Sequence, residues 1–372
     1  MTASTWHKAY RCLVFAGSAA LLAIASACTT IPSKEFSTYK DTFTQARKAS
    51  EDVLLDYGAA ATEAEELAAK DAESQAKPKE RGEAFDPLTA AKQTVTVDHI
   101  AVRMKAWDVV ARYNDLLTAL AEGKAADQLA AAVDGLSSSL GSFPIAEVAL
   151  SWTQVSGYLA PLKPLALEAV REQSRRQFVA AVGKGAPLIT DNFLKLLRDD
   201  AADFYRVRFG LNDREYRHLL TGVAEAGNSF ADLCEQFQQT PEVSTILADL
   251  NNQVIKIPRR PGGAFAVKPV APKVSPSSAA APTPEAIAQL TSLQADAAAR
   301  VAQALAKDAE LDAYRQVLTH YVDLLDKLEQ SMRGLQIAAE QAQPAIPQGA
   351  DLERTVILLR QAYIRYKDIG KE

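Results

Sequence analysis

The sequence predicts an all-α fold: an elongated multi-helix bundle with a long N-terminal helix and a Pro/Ala-rich linker before a C-terminal helical region. Three observations carry that expectation. The chain is rich in Ala, Leu, Glu, Lys and Gln, which cost least in a helix, and poor in β-branched runs. Apolar residues recur at steps of three and four along most of its length. The interruptions fall at proline and glycine, which punctuate helices.

The order of elements begins with a segment built for export. Lys8 and Arg11 precede an uncharged run of 15 residues, Leu13 to Ala27, and the first acidic residue is Glu35. That run is shorter than the roughly 20 residues a membrane-spanning helix needs, so residues 1–27 are expected to be a cleaved signal. Ala25-Ser26-Ala27 fits the small-x-small cleavage pattern, and with Cys28 it resembles the lipobox of bacterial lipoproteins. The resemblance covers roughly the first 30 residues and departs from the family at Ala25, where Leu is usual. It implies a thioether-linked diacylglycerol on Cys28, an acylated amino terminus and hence a membrane partner held by the lipid. In that family Asp after the cysteine favours the inner membrane; Thr29 stands there, which implies the outer membrane, facing the periplasm.

Losing residues 1–27 removes two basic residues and no acid, which takes the net charge from −5 to −7. A mildly acidic exported chain does not suit nucleic acid, whose phosphates call for clustered positive charge. Of three cysteines, Cys12 leaves with the signal and Cys28 takes the acyl group, so Cys234 has no partner for a disulfide framework.

Residues 28–69 read as a tether and a helix starting after Ser33. Phe36, Tyr39, Phe43, Ala46, Ser50, Val53, Tyr57, Ala60, Ala64 and Leu67 form a seam at heptad spacing, about 47 Å long, widened by Leu54 and Leu55. Residues 70–85 are highly charged and broken by Pro78 and Gly82, an exposed connection. Residues 86–257 read as a helical core. Asp86 and Pro87 offer a cap and first-turn proline; Ile100, Met104, Trp107, Ala111 and Asn114 then share a face as far as a stop at Gly123. Further helices are expected at about 125–140, 144–157, 164–182 and 187–209, then a stripe from Tyr216 to Phe237. Strand-like alternation is confined to Thr94–Val97 and Gln253–Ile257. Residues 258–284 hold seven of the 17 prolines and read as an extended linker. Residues 285–372 read as three helices, about 285–307, 309–342 and 350–368. "YNDLLTAL" from Tyr113 and "YVDLLDKL" from Tyr321 match at five of eight positions.

Motifs of chemistry are sparse. Glu215 and His218 have the spacing of a carboxylate and an imidazole on one helical face, but no second such pair accompanies them. Asn212 and Glu215 also read as a capping pair. Arg206, Arg208, Phe209, Arg214, Tyr216 and Arg217 interleave arginine with aromatics, the composition interface centres favour, and form a candidate interaction patch. No cofactor or metal motif and no catalytic residue stands out. The expected function is therefore an interaction or scaffold role, with a protein partner in the cell envelope; the alternative is a helical module enclosing a small hydrophobic or lipid ligand, and then an enzyme acting on envelope glycan.

Overall fold

The computed structural model describes residues 33–75, 98–145, 148, 150–169, 171–237, 240–258, 260, 267, 269–271, 280–341 and 349–370. The signal, Cys28, residues 76–85 of the charged connection, the cap at Asp86 and the alternation at Thr94–Val97 lie outside them. The elements are α1 (Ser33–Gln75), α2 (Asp98–Ala121), α3 (Ala126–Ser142), α4 (Trp152–Leu159), α5 (Leu162–Glu168), α6 (Glu172–Gly183), α7 (Ala186–Leu188), a π-helical stretch (Ile189–Leu194), α8 (Lys195–Asp199), α9 (Ala201–Cys234), α10 (Pro241–Ile255), α11 (Pro284–Gln341) and α12 (Gly349–Ile369). The fold is all-α, and the sole β feature among the described residues is an isolated bridge between Phe237 and Ala280.

Several helix boundaries depart from the sequence reading. The expected break near Lys307 is absent: α11 runs 58 residues without interruption. The expected stop at Phe209 and cap at Asn212 are absent too, for α9 passes straight through Gly210. Conversely, the single helix expected over 164–182 is split into α5 and α6, and the one expected from Pro144 begins at Trp152, behind a capping box of Ser151 and Gln154. Thr190 and Asn192 hydrogen-bond to the carbonyls of Ala186 and Leu188 where the helix widens to π. Gln253–Ile255 closes α10 and forms no strand. Along α1 the seam is buried from Tyr39 to Ala60 and Leu54 joins it, but Leu55 points to solvent.

Two compact units are formed, neither contiguous in sequence. Unit 1 takes residues 1–44, 108–192 and 327–352; unit 2 takes 45–107, 193–326 and 353–372.

In unit 1 the Tyr39 hydroxyl donates to Asn114 Oδ1 at 2.5 Å inside the core. Helix α2 ends where its sequence predicts: Gly123 adopts φ 70°, and the Lys124 N–H reaches back to the Ala119 carbonyl at 3.0 Å. Lys40 of α1 pairs with Glu122 at that end at 2.6 Å. Arg175 of α6 donates to the Leu120 carbonyl there at 2.5 Å.

Unit 2 is organised around aromatic rings. Tyr57 and Phe204 stack at 4.2 Å between centroids, Phe204 lies 6.1 Å from Tyr321, and Trp107 is fully buried. Arg103 of α2 grips Asp200 through two hydrogen bonds of 2.6 and 2.9 Å. The described residues of the proline-rich stretch are tied down at several points. Tyr216 donates to the Pro258 carbonyl at 2.8 Å, Arg260 binds Asp308 and Asn212, and Asn251 exchanges two hydrogen bonds with the Val270 backbone. Val267 and Val270 pack on the apolar clusters of α9, α10 and α11.

Candidate functional site

Within unit 2, four helices present one face each to a cavity of about 720 Å³. Glu63 and Leu67 come from α1; Leu211, Arg214, Glu215, His218 and Leu219 from α9; Gln303, Ala306, Lys307 and Glu310 from α11; Ile369 from the end of α12, with Gly370 just after it. Steps of three and four on α9 and α11 bring these side chains to one side, which is why residues far apart in the chain meet here. Leucines 67, 211 and 219 with Ala306 and Ile369 make the apolar part. Charged groups rim it.

The rim is electrostatically organised. Lys307 donates to Glu215 at 2.6 Å and to Glu310 at 3.0 Å. Burial alone pulls its ammonium toward the neutral form; the two carboxylates outweigh that and raise its pKa above the ordinary lysine value. Three carboxylates (Glu63, Glu215, Glu310) face two cations (Arg214, Lys307), so the rim carries both signs in near balance.

One turn deeper on three of the helices, and two turns on α1, lies a buried charge cluster. Asp56, with 2% of its side chain exposed, accepts from Arg208 at 2.9 Å, from the Tyr366 hydroxyl at 3.4 Å and from Lys367. The Arg208 guanidinium lies over Tyr314 and Tyr366, 5.6 and 5.7 Å from the ring centres. Burial and the Asp56 carboxylate push Tyr366 well above the usual tyrosine range, and the same causes push Tyr363 up to about 12. The cluster keeps its phenols neutral and its guanidinium charged.

The expected interaction patch is dispersed around α9. Arg208 and Tyr216 point inward, Tyr216 beneath the Arg260 guanidinium at 3.7 Å. Arg206 and Arg217 pair along the helix with Asp203 and Asp213, Phe209 lies 6.0 Å from Tyr205, and Arg214 lines the cavity. Asn212 is no cap: it is buried mid-helix, donating to the Lys307 carbonyl and accepting from Arg260. Glu215 and His218 do share a face, and that face is the cavity's. Among the described residues no group of His, Cys, Asp and Glu is arranged to hold a metal ion, and no helix is long and apolar enough to cross a membrane. Cys234 is buried, and burial raises its thiol pKa. Sequence reasoning missed Glu63, Leu67, Lys307, Glu310 and Ile369, whose only signal was helical spacing. Compared with known proteins, the chain matches no family model, no curated sequence and no solved structure.

Proposed function

We propose that the protein is an envelope-tethered binding module, held by an acylated Cys28 at the outer membrane and facing the periplasm, that takes a small amphipathic ligand into the unit 2 cavity. The observation that carries the reading is the cavity: its size falls in the range of ligand sites, roughly 300 to 1,000 Å³, and it joins an apolar wall to a few convergent polar groups. The ligand's apolar body lies against Leu67, Leu211 and Leu219. Its head meets a rim of nearly balanced charge, which suits a neutral or zwitterionic group over a polyanion. The sequence supports the tether through the export signal and the lipobox resemblance.

The test is native mass spectrometry of gently purified protein, with solvent extraction of any bound molecule. A discrete adduct that disappears in Leu219→Arg, with the helical content intact, supports the reading; a ligand-free wild-type protein that takes up no fluorescent acyl probe refutes it. The same purification reads the mass of the N-terminal peptide, and an unmodified Cys28 refutes the tether.

A scaffold role is favoured by a separate observation: Leu55 on α1 and, seven residues apart on α12, Ile357 and Ile364 are exposed. Crosslinking at native abundance from cysteines placed at 357 and 364 should then capture one defined protein; a diffuse or empty pattern counts against a partner.

A further inference from the structure

We infer that the outer face of α4 and α5 in unit 1 docks on the lipid surface, so that the protein meets the membrane through a protein face as well as through its acyl chains. The inference rests on the tether proposed above. From Ser151 to Ala169 the only charged residues are Lys163 and Glu168, and Lys163 is engaged by Asp134 at 3.1 Å. Val155, Leu162 and Ala166 point into the core with no exposure, so the apolar requirement of the unit is met from the inner side. Even so, Trp152 of α4 is 55% and Leu167 of α5 57% exposed. A large aromatic and a leucine left in water on a charge-poor stretch are side chains suited to a lipid interface. Tryptophan favours the boundary between head groups and acyl chains because its ring is apolar and its N–H is polar.

What covers this face follows from where the chain outside the structure leads. The first turns of α6 reach the C-terminal end of α2, where Arg175 holds the Leu120 carbonyl. The first turns of α1 meet the same end through Lys40 and Glu122. Ser33 lies two turns before Lys40, about 10 Å along the helix, and Cys28 precedes it by five residues that span at most about 18 Å. An acylated Cys28 therefore keeps this end of unit 1 within reach of the bilayer. Arg171, exposed at the N-cap of α6, supplies positive charge close to Leu167, which suits anionic head groups.

The tryptophans make the test specific. Trp6 leaves with the signal and Trp107 is fully buried, so in the processed chain Trp152 alone can change its surroundings on docking. The acylated protein is reconstituted on vesicles of brominated phosphatidylcholine with phosphatidylglycerol, and its emission is compared with that on unbrominated vesicles. Docking predicts a blue shift and quenching that vanish in Trp152→Phe. The Cys28→Ala chain should still partition onto the same vesicles, weakly, and Leu167→Ser in that background should lower the partition about tenfold. An acylated, vesicle-bound chain whose Trp152 emission stays that of water overturns docking while leaving the tether intact. An unmodified Cys28 overturns the tether itself. A blue shift that depends on protein concentration without lipid assigns the face to a second copy and also overturns docking.

Discussion

Replacing Asp56 by alanine tests whether the buried charge cluster holds unit 2 together. The carboxylate is 2% exposed and serves Arg208, whose side chain is 15% exposed, besides Lys367 and Tyr366. Lys367 is nearly half exposed and can turn to water, so its loss counts for little. Arg208 cannot: it would remain between Tyr314 and Tyr366 with its charge unpaired. Removing one partner of such a buried pair costs about 3 to 5 kcal/mol, and the partial exposure of Arg208 argues for the lower end, about 3 kcal/mol. With a urea dependence of about 2 to 3 kcal/mol per M, the unfolding midpoint should drop by roughly 1 to 1.5 M. Trp107 belongs to unit 2, so its emission in a Trp152→Phe background follows the unfolding of that unit. The control is Asp56→Leu with Arg208→Met, which leaves no orphan charge and should recover most of the loss. A single variant with an unmoved midpoint, or a double variant as unstable as the single, refutes the account.

Other outcomes follow from the same structure. Arg260, 6% exposed and shared among Asp308, Asn212 and the Tyr216 ring, fastens the proline-rich stretch. Arg260→Lys should fail to replace it, because a lysine offers no planar fork, and hydrogen exchange should accelerate at Val270. Tyr39, Tyr113, Tyr314, Tyr321 and Tyr366 all have pKa values raised by burial above the unfolded value of 10.0. The folded state then holds protons that the unfolded state releases, so stability is full below about pH 10 and falls as the pH rises above it. Tyrosinate absorbance should lag behind the free phenol curve until the circular dichroism collapses. Finally, a thiol reagent should find no reactive cysteine in the processed native protein and one after denaturation, Cys234; a reactive thiol in the native state marks Cys28 as unacylated.

Much of the fold was legible because helical propensity and apolar spacing agree along the chain. The seam of α1 was read from an unbroken three-and-four spacing, and the stop at Gly123 from a single residue with a single physical meaning. Boundaries were misread where glycine or asparagine serves a helix interior. Gly210 opens no turn; a Cβ there would meet nothing within 4 Å. Asn212 looked like a cap because its amide can bond to its own backbone, yet in the fold it bonds to Arg260 and to the Lys307 carbonyl, partners at remote positions. The cavity was illegible for the same reason. Its walls come from four helices whose pairing no local pattern encodes, and the arginine-aromatic stretch that stood out in sequence mostly turns inward or pairs along its own helix.

The charged floor beneath the cavity calls for an explanation beyond stability, since an apolar substitute of the same volume would serve as well or better. Its contribution is register. Asp56, Arg208 and Tyr366 lie on α1, α9 and α12, the same helices that supply Glu63, Leu211 and Ile369 to the cavity. A slip of one helix by a single turn moves its side chains about 5.4 Å, which would unpair the cluster and empty the cavity wall together. Apolar side chains tolerate such a slip more readily than a carboxylate bound to a guanidinium does. On the proposed binding role, the double variant Asp56→Leu, Arg208→Met should therefore keep its stability yet take up an acyl probe less tightly. An apolar replacement of the Arg103 and Asp200 pair, whose residues do not line the cavity, should leave binding unchanged.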